Sequence, residues 1–226
     1  MITLHHLKNS GSQKILWLLE EIGIPYEIKK YERINQGQAP PELAKIHPLG
    51  KAPVLEDGDI VLAESSAIID YLITKYGAGR FTPSESQYID DLYYTRYADG
   101  TLMPIYTHWL VFTIIPEAAP FFVRPIIRLM LGLVTKVLVD ERMRANIDML
   151  EAHLGKRPGK FIAGGDEPTH ADFLMIFPLE TFYTRPESGI GENIKAYVEL
   201  VHERPAYKRG IEKGGPFDAH FHGGSV

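Results

Sequence analysis

Four short constellations place residue types that bind anions or peptide-like ligands at points where the chain turns. Ser10-Gly11-Ser12 stands between a short strand-like run and a helical stripe. A hydroxyl there can cap the helix, or donate to an anion held near the helix start, which favours a bound thiolate over its thiol. In His47-Pro48-Leu49-Gly50-Lys51-Ala52-Pro53-Val54-Leu55, Pro53 falls at the start of a strand and has no ladder donor to give. It is either an edge or bulge proline, or the residue of a cis bond that frees the Val54 amide and carbonyl to grip a peptide-like ligand as a short antiparallel strand. Glu64-Ser65 opens the helical run that ends at Tyr76. Amides at a helix start favour a carboxylate, the Ser hydroxyl adds a donor, and Glu64 can pair with an ammonium. Helix capping alone accounts for both residues equally well. Thr169-x-x-Asp172, just before Phe173, Leu174, Ile176 and Phe177, is a capping signature with Asp in place of Glu, and reads as structure.

Other chemistries lack their residues. There is no Gly-x-Gly-x-x-Gly turn for a dinucleotide, no Gly-Lys-Ser/Thr phosphate loop and no Gly-x-Ser-x-Gly elbow. His5 and His6 point to opposite faces of a strand, His220-x-His222 lies in a polar, Gly-rich tail, and His-x-x-x-His is absent, so no native metal is expected. The cysteine count is zero, which excludes disulfides, thiolate metal sites and cysteine nucleophiles. With 24 basic and 29 acidic residues the chain carries a net charge of −5, against a general polyanion binder, and no nucleic-acid partner is expected.

The elements that must hold these residues fall into two regimes. The 226 residues correspond to about one and a half typical domains, and 45% are apolar, enough for a real core. Over residues 1–80, Ile2–His6 reads as a strand and Gln13–Ile22 as a helix stopped at Gly23 and Pro25. Tyr26–Tyr31 is a second strand, and 35–44 a loop and short helix. Ala52–Glu56 and Ile60–Ala63 are strands joined by the Asp57-Gly58 turn, and Ser65–Tyr76 is a helix. The order β-α-β-α-β-β-α predicts a mixed sheet in a compact α/β unit. Residues 87–226 read as all-helical, with helical runs at Ser84–Leu110, Phe122–Leu154, Thr169–Pro178 and Ile194–Glu203, and residues 81–86 form the linker. Tyr93, Tyr94, Tyr97, Tyr106, Trp109 and Phe112 are expected mostly in the core, with any that face a cleft forming a wall for an apolar ligand.

Residues 101–139 are the most hydrophobic region. Their longest stretch free of Lys, Arg, Asp and Glu, Gly100–Pro116, has 17 residues and is interrupted by Pro104 and His108. A spanning helix needs about 20. A buried helix, a dimer face, a pocket wall or peripheral membrane association are the readings that fit. MITLHHLKNSGSQK has neither a sustained apolar core nor a small-residue cleavage site, so no signal peptide and a cytoplasmic location are expected.

Taken in order and spacing, these segments resemble the cytosolic glutathione transferase superfamily, and within it the fungal and bacterial Gtt-type enzymes. The resemblance covers nearly the whole chain. Its carriers are Ser10–Glu21, His47–Leu55, Leu62-Ala63-Glu64-Ser65-Ser66-Ala67-Ile68, Thr169-His170-Ala171-Asp172 and Arg204-Pro205-Ala206-Tyr207. It implies an α/β plus all-α architecture, a thioredoxin-like glutathione-binding domain (1–80) followed by a helical domain (87–226) that forms the second-substrate pocket, assembled as a homodimer.

The resemblance also implies the site. Pro53 matches the family's cis-proline, and Val54 would bind the cysteinyl backbone of glutathione. Glu64 and Ser65 would hold its γ-glutamyl end, and Lys51 its glycine carboxylate. In serine-type members the activating hydroxyl lies four residues before a basic residue of the first helix. Here that residue is Lys14, which points to Ser10, with Ser12 as the helix cap and Asn9 and Ser12 as alternatives. The implied reaction is attack of the glutathione thiolate on an apolar electrophile or a hydroperoxide, with no metal. The alternative is a non-catalytic glutathione-binding regulatory protein on the same fold.

Overall fold

The computed structural model describes residues 1–34, 37–184 and 189–216, except the side chains of residues 113, 114, 117 and 118. The first unit runs β1 (Ile2–Leu7), α1 (Ser12–Ile22), β2 (Tyr26–Tyr31), β3 (Val54–Asp57), β4 (Ile60–Ala63) and α2 (Ser65–Tyr76). The second helix of the expected order is a short 3₁₀ segment, Pro41–Lys45, and Asn35 of the expected loop lies outside the described residues. The strands form one mixed sheet in the order β2-β1-β3-β4. β1 is parallel to β2 and antiparallel to β3, and β3 and β4 are antiparallel neighbours. The Asp57-Gly58 turn closes this hairpin with Gly58 at φ 62, a conformation that costs glycine little.

The fold is therefore a thioredoxin-like α/β unit followed by an all-helical bundle. Among the described residues the bundle comprises α3 (Tyr88–Tyr97), α4 (Met103–Ala118), α5 (Arg124–Thr135), α6 (Glu141–Gly155), α7 (His170–Tyr183), α8 (Glu192–His202) and α9 (Pro205–Gly214). Single π-helical turns, Ala98–Leu102 and Lys136–Asp140, fuse α3 to α4 and α5 to α6 into two long rods. The first rod continues past the expected Leu110, and α7 past Pro178, although each carries an internal proline. α9 is an addition to the expected pattern.

α1 is the hub. Its apolar stripe is fully buried, and Trp17 lies 4.4 Å from Phe173 of α7 and 6.2 Å from Tyr207 of α9, ring centre to ring centre. α9 crosses α1 at glycines: a Cβ on Gly210 would stand 3.4 Å from the Trp17 amide nitrogen, and one on Gly214 only 2.5 Å from Leu16 Cδ1. Charge fastens the same crossing, with Glu20 held by Arg209 (2.8 Å) and Lys213, and Glu21 held by Arg204. Phe81, at the start of the expected linker, is buried edge-on against Phe173.

The aromatic expectation divides. Tyr94, Tyr97 and Tyr106 are buried, Trp109 and Phe112 are partly buried against the core, and Tyr93 is exposed. Among the described residues no helix is long and apolar enough to cross a membrane.

Candidate active site

The sheet register brings the separated motifs to one edge. Val54 stands opposite His5 of β1 on one side and Ala63 of β4 on the other. Because β3 runs against both neighbours, its beginning lies at the ends of β1 and β4. The turn Lys8–Gly11, the segment Lys51–Pro53 and the pair Glu64-Ser65 therefore emerge together. The Ala52–Pro53 peptide is cis. Pro53 and Val54 are buried, and Lys51 is exposed. Arg33, just after β2, fastens the first of these turns. Its guanidinium donates to the carbonyls of Lys8 (3.0 Å), Asn9 (2.7 Å) and Gly37 (2.6 Å).

At the first turn the hydroxyls are shared with the fold. Ser10 Oγ donates to the Leu7 carbonyl (2.7 Å) and accepts the Ser12 amide (3.2 Å), while Gly11, not Ser12, stands at the cap position of α1. Ser12 is instead the first residue of α1 and fully buried, its Oγ 2.8 Å from His6 Nδ1 and 2.7 Å from Ser10 Oγ. Burial pushes His6 down to about 4, so its ring is neutral at physiological pH. A neutral ring carries one N–H and one bare nitrogen, and its tautomer sets whether Nδ1 donates to or accepts from Ser12 Oγ. Ser10, 7% exposed, is the outer hydroxyl of this chain, and Asn9 beside it is half-buried at φ 53.

Glu64 departs from a simple cap. Its carbonyl accepts the Ile68 amide (2.9 Å), but its side chain makes no capping hydrogen bond. It is exposed and sits at φ 69, ψ 118, sparsely populated backbone for a residue with a Cβ. Such strain points to a function when local packing does not require it. Ser65, half-buried, is the first residue of α2, so its amide belongs to the open start of that helix.

Helices of the second unit face the same edge. Phe177 of α7 lies against the turn, 3.9 Å from where a Gly11 Cβ would be. Tyr106 of α4 is buried, stacked beside Trp109 and edge-on to Phe182. Lys14 of α1 is buried, which pushes its amine down to about 8 against the opposing pull of Asp99. The hold of Arg33 on the turn and the His6–Ser12 bond escaped the sequence reading, because neither belongs to a local motif.

The Thr169–Asp172 signature is a complete capping box. Asp172 is fully buried and accepts from the amides of Ile162 (2.8 Å) and Thr169 (2.7 Å) and from Tyr197 Oη (2.8 Å). Burial raises its carboxyl to about 6 while these donors pull the other way. His220 and His222 lie outside the described residues.

Residues 1–74 match the family model described as the glutathione S-transferase N-terminal domain. Glutathione S-transferase 3 of Schizosaccharomyces pombe is 35% identical over 220 residues, covering 94% of this chain and 88% of that one. A solved glutathione S-transferase from Actinobacillus pleuropneumoniae superposes with TM-score 0.73 at 35% identity, covering 97% of this chain and 95% of the other. A glutathione transferase family member from Pseudomonas fluorescens, solved with two glutathione bound, gives TM-score 0.68 at 26% identity over 93% and 92% of the two chains.

Proposed function

The chain belongs to the glutathione S-transferase family, and we propose that its glutathione site is the sheet edge where Ser10, Lys51, Pro53, Val54, Glu64 and Ser65 converge. It is an enzyme of glutathione-transferase chemistry. The observation that carries the residue assignment is the register His5–Val54–Ala63, together with the strained, uncapped Glu64 at the end of that row.

In this reading the Val54 main chain takes the cysteinyl backbone of glutathione. The Ser65 hydroxyl and the α2 amides take the γ-glutamyl carboxylate, and Glu64 takes its ammonium. Lys51 attracts the glycine carboxylate. Ser10 turns its proton from Leu7 toward the sulfur and favours the thiolate. Ser12 and His6 hold the Ser10 oxygen from behind. The thiolate forms a carbon–sulfur bond with an apolar electrophile while the leaving group departs with its electron pair. With an organic hydroperoxide the sulfur takes the terminal oxygen and releases the alcohol; a second glutathione then yields the disulfide and water. With no cysteine in the chain, the reactive thiol is that of glutathione.

Phe177, which lies against the Ser10 turn from the second unit, forms one wall for the apolar substrate. A homodimer is supported by exposed Ile60 and Val61 on β4 and by Tyr88, Ile89 and Leu92 on α3, beside an open depression of about 500 Å³. Turnover of an aryl halide and of an organic hydroperoxide, compared between wild type and Ser10→Ala, tests the assignment. Loss of both activities in the variant supports it. Unchanged turnover moves the activating group to Asn9.

A further inference from the structure

β1 and β2 part company where the Ser10 turn begins. Their pairing ends at Leu7 and Tyr31, with one further bond from the Lys8 amide to the Tyr31 carbonyl (3.0 Å). Beyond that point a side chain replaces the ladder. The half-buried Arg33 guanidinium donates from Nε to the Lys8 carbonyl (3.0 Å) and from Nη2 to the Asn9 carbonyl (2.7 Å), while Nη1 holds the Gly37 carbonyl (2.6 Å). Asn9 sits at φ 53, an uncommon backbone for a residue with a Cβ, and the charged donor on its carbonyl helps to hold it there.

The Asn9 carbonyl belongs to the same peptide unit as the Ser10 N–H. That peptide is trans, so the N–H points opposite to the carbonyl. Fixing the carbonyl on the Arg33 side turns the N–H away from β2. β1 lies between β2 and β3 in the sheet, so the N–H is turned to the side where β3 begins at Val54. The Ser10 N–H has no acceptor among the described residues. A fixed donor without an acceptor, next to the Ser10 hydroxyl, is what a sulfur gaining negative charge requires. We infer that Arg33 is a positioning residue: by clamping the Lys8 and Asn9 carbonyls it aims the Ser10 N–H at the glutathione sulfur, giving the thiolate a main-chain donor beside the hydroxyl. This inference rests on the placement of that sulfur at Ser10. It requires the planar fork of arginine, since a lysine amine cannot hold both carbonyls in one fixed geometry.

The test compares wild type, Arg33→Gln, Arg33→Lys and Ser10→Ala. Steady-state kinetics are run with an aryl halide, and the ultraviolet absorbance of the thiolate is followed as bound glutathione is titrated with pH. Arg33→Gln is expected to lower kcat about tenfold, with KM for glutathione within about threefold, and bound glutathione is expected to ionise at higher pH. Arg33→Lys keeps the charge and is expected to recover less than about half of the lost kcat. A merely structural arginine would change thermal stability and leave the ionisation of bound glutathione where it was. If the glutamine variant does not fold, the lysine variant carries the test by the same two readouts. Unchanged kcat and ionisation in the Arg33 variants, with Ser10→Ala still slow, would overturn this inference and leave the site in place. Full recovery by lysine would also overturn it, because charge alone would then suffice. Wild type that binds no glutathione would overturn the site and this inference together.

Discussion

Ser12 Oγ stands 2.8 Å from Nδ1 of His6, wholly inside the fold. The two serines of the first turn therefore have different duties. Ser12 ties the start of α1 to β1, and Ser10 is the hydroxyl nearer the open sheet edge. Replacing each by alanine separates the roles. Ser10→Ala is expected to lower turnover by about tenfold or more while glutathione affinity stays within about threefold. Ser12→Ala is expected to cost about 1–2 kcal/mol of stability, because it leaves His6 Nδ1 without its partner. Steady-state kinetics and denaturant titration read the two effects. A Ser10→Ala enzyme with full turnover contradicts the assignment.

His6 gives a stability effect with a definite sign. Its folded value of about 4 lies below the ordinary value of 6.5. The unfolded chain therefore binds a proton first as the pH falls, and stability present above 6.5 is lost through this interval, by about 3 kcal/mol. His6→Gln removes the titration. The stability advantage of wild type over this variant is expected to shrink as the pH falls from 7 toward 4. Parallel denaturant curves at the two ends of the range measure it, and a constant difference refutes it.

Asp172 holds the second unit together from within. Asp172→Ala leaves the Ile162 and Thr169 amides and Tyr197 Oη without their acceptor. A loss of about 3–5 kcal/mol is expected in thermal or denaturant unfolding. A change below about 1 kcal/mol would mean that these donors find other partners.

Much of this was legible in the residues. Asp57-Gly58 marks a hairpin because glycine takes positive φ freely, and Gly23 with Pro25 stops α1 for the same local reason. Thr169 and Asp172 announce their helix because a capping box is complete within four residues. What was hidden depends on tertiary partners. The direction of the Ser12 hydroxyl is set by His6, a strand away, and the Lys8–Asn9 turn is held by Arg33 from beyond β2. α9 carries glycines that weaken a helical pattern, yet those glycines let it approach α1 closely and settle it there. Pro116 and Pro178 suggest helix ends, but packing carries both helices through them.

The most direct measurement is isothermal titration of glutathione into the wild-type chain and into Glu64→Ala. The strained Glu64 makes no capping bond, so its side chain is available to a ligand and its removal spares the helix. The account predicts saturable binding by wild type and affinity at least about tenfold weaker in the variant, with unchanged thermal stability. Wild type that fails to bind at millimolar glutathione, or equal affinity in both proteins, would contradict the placement of the site at this sheet edge.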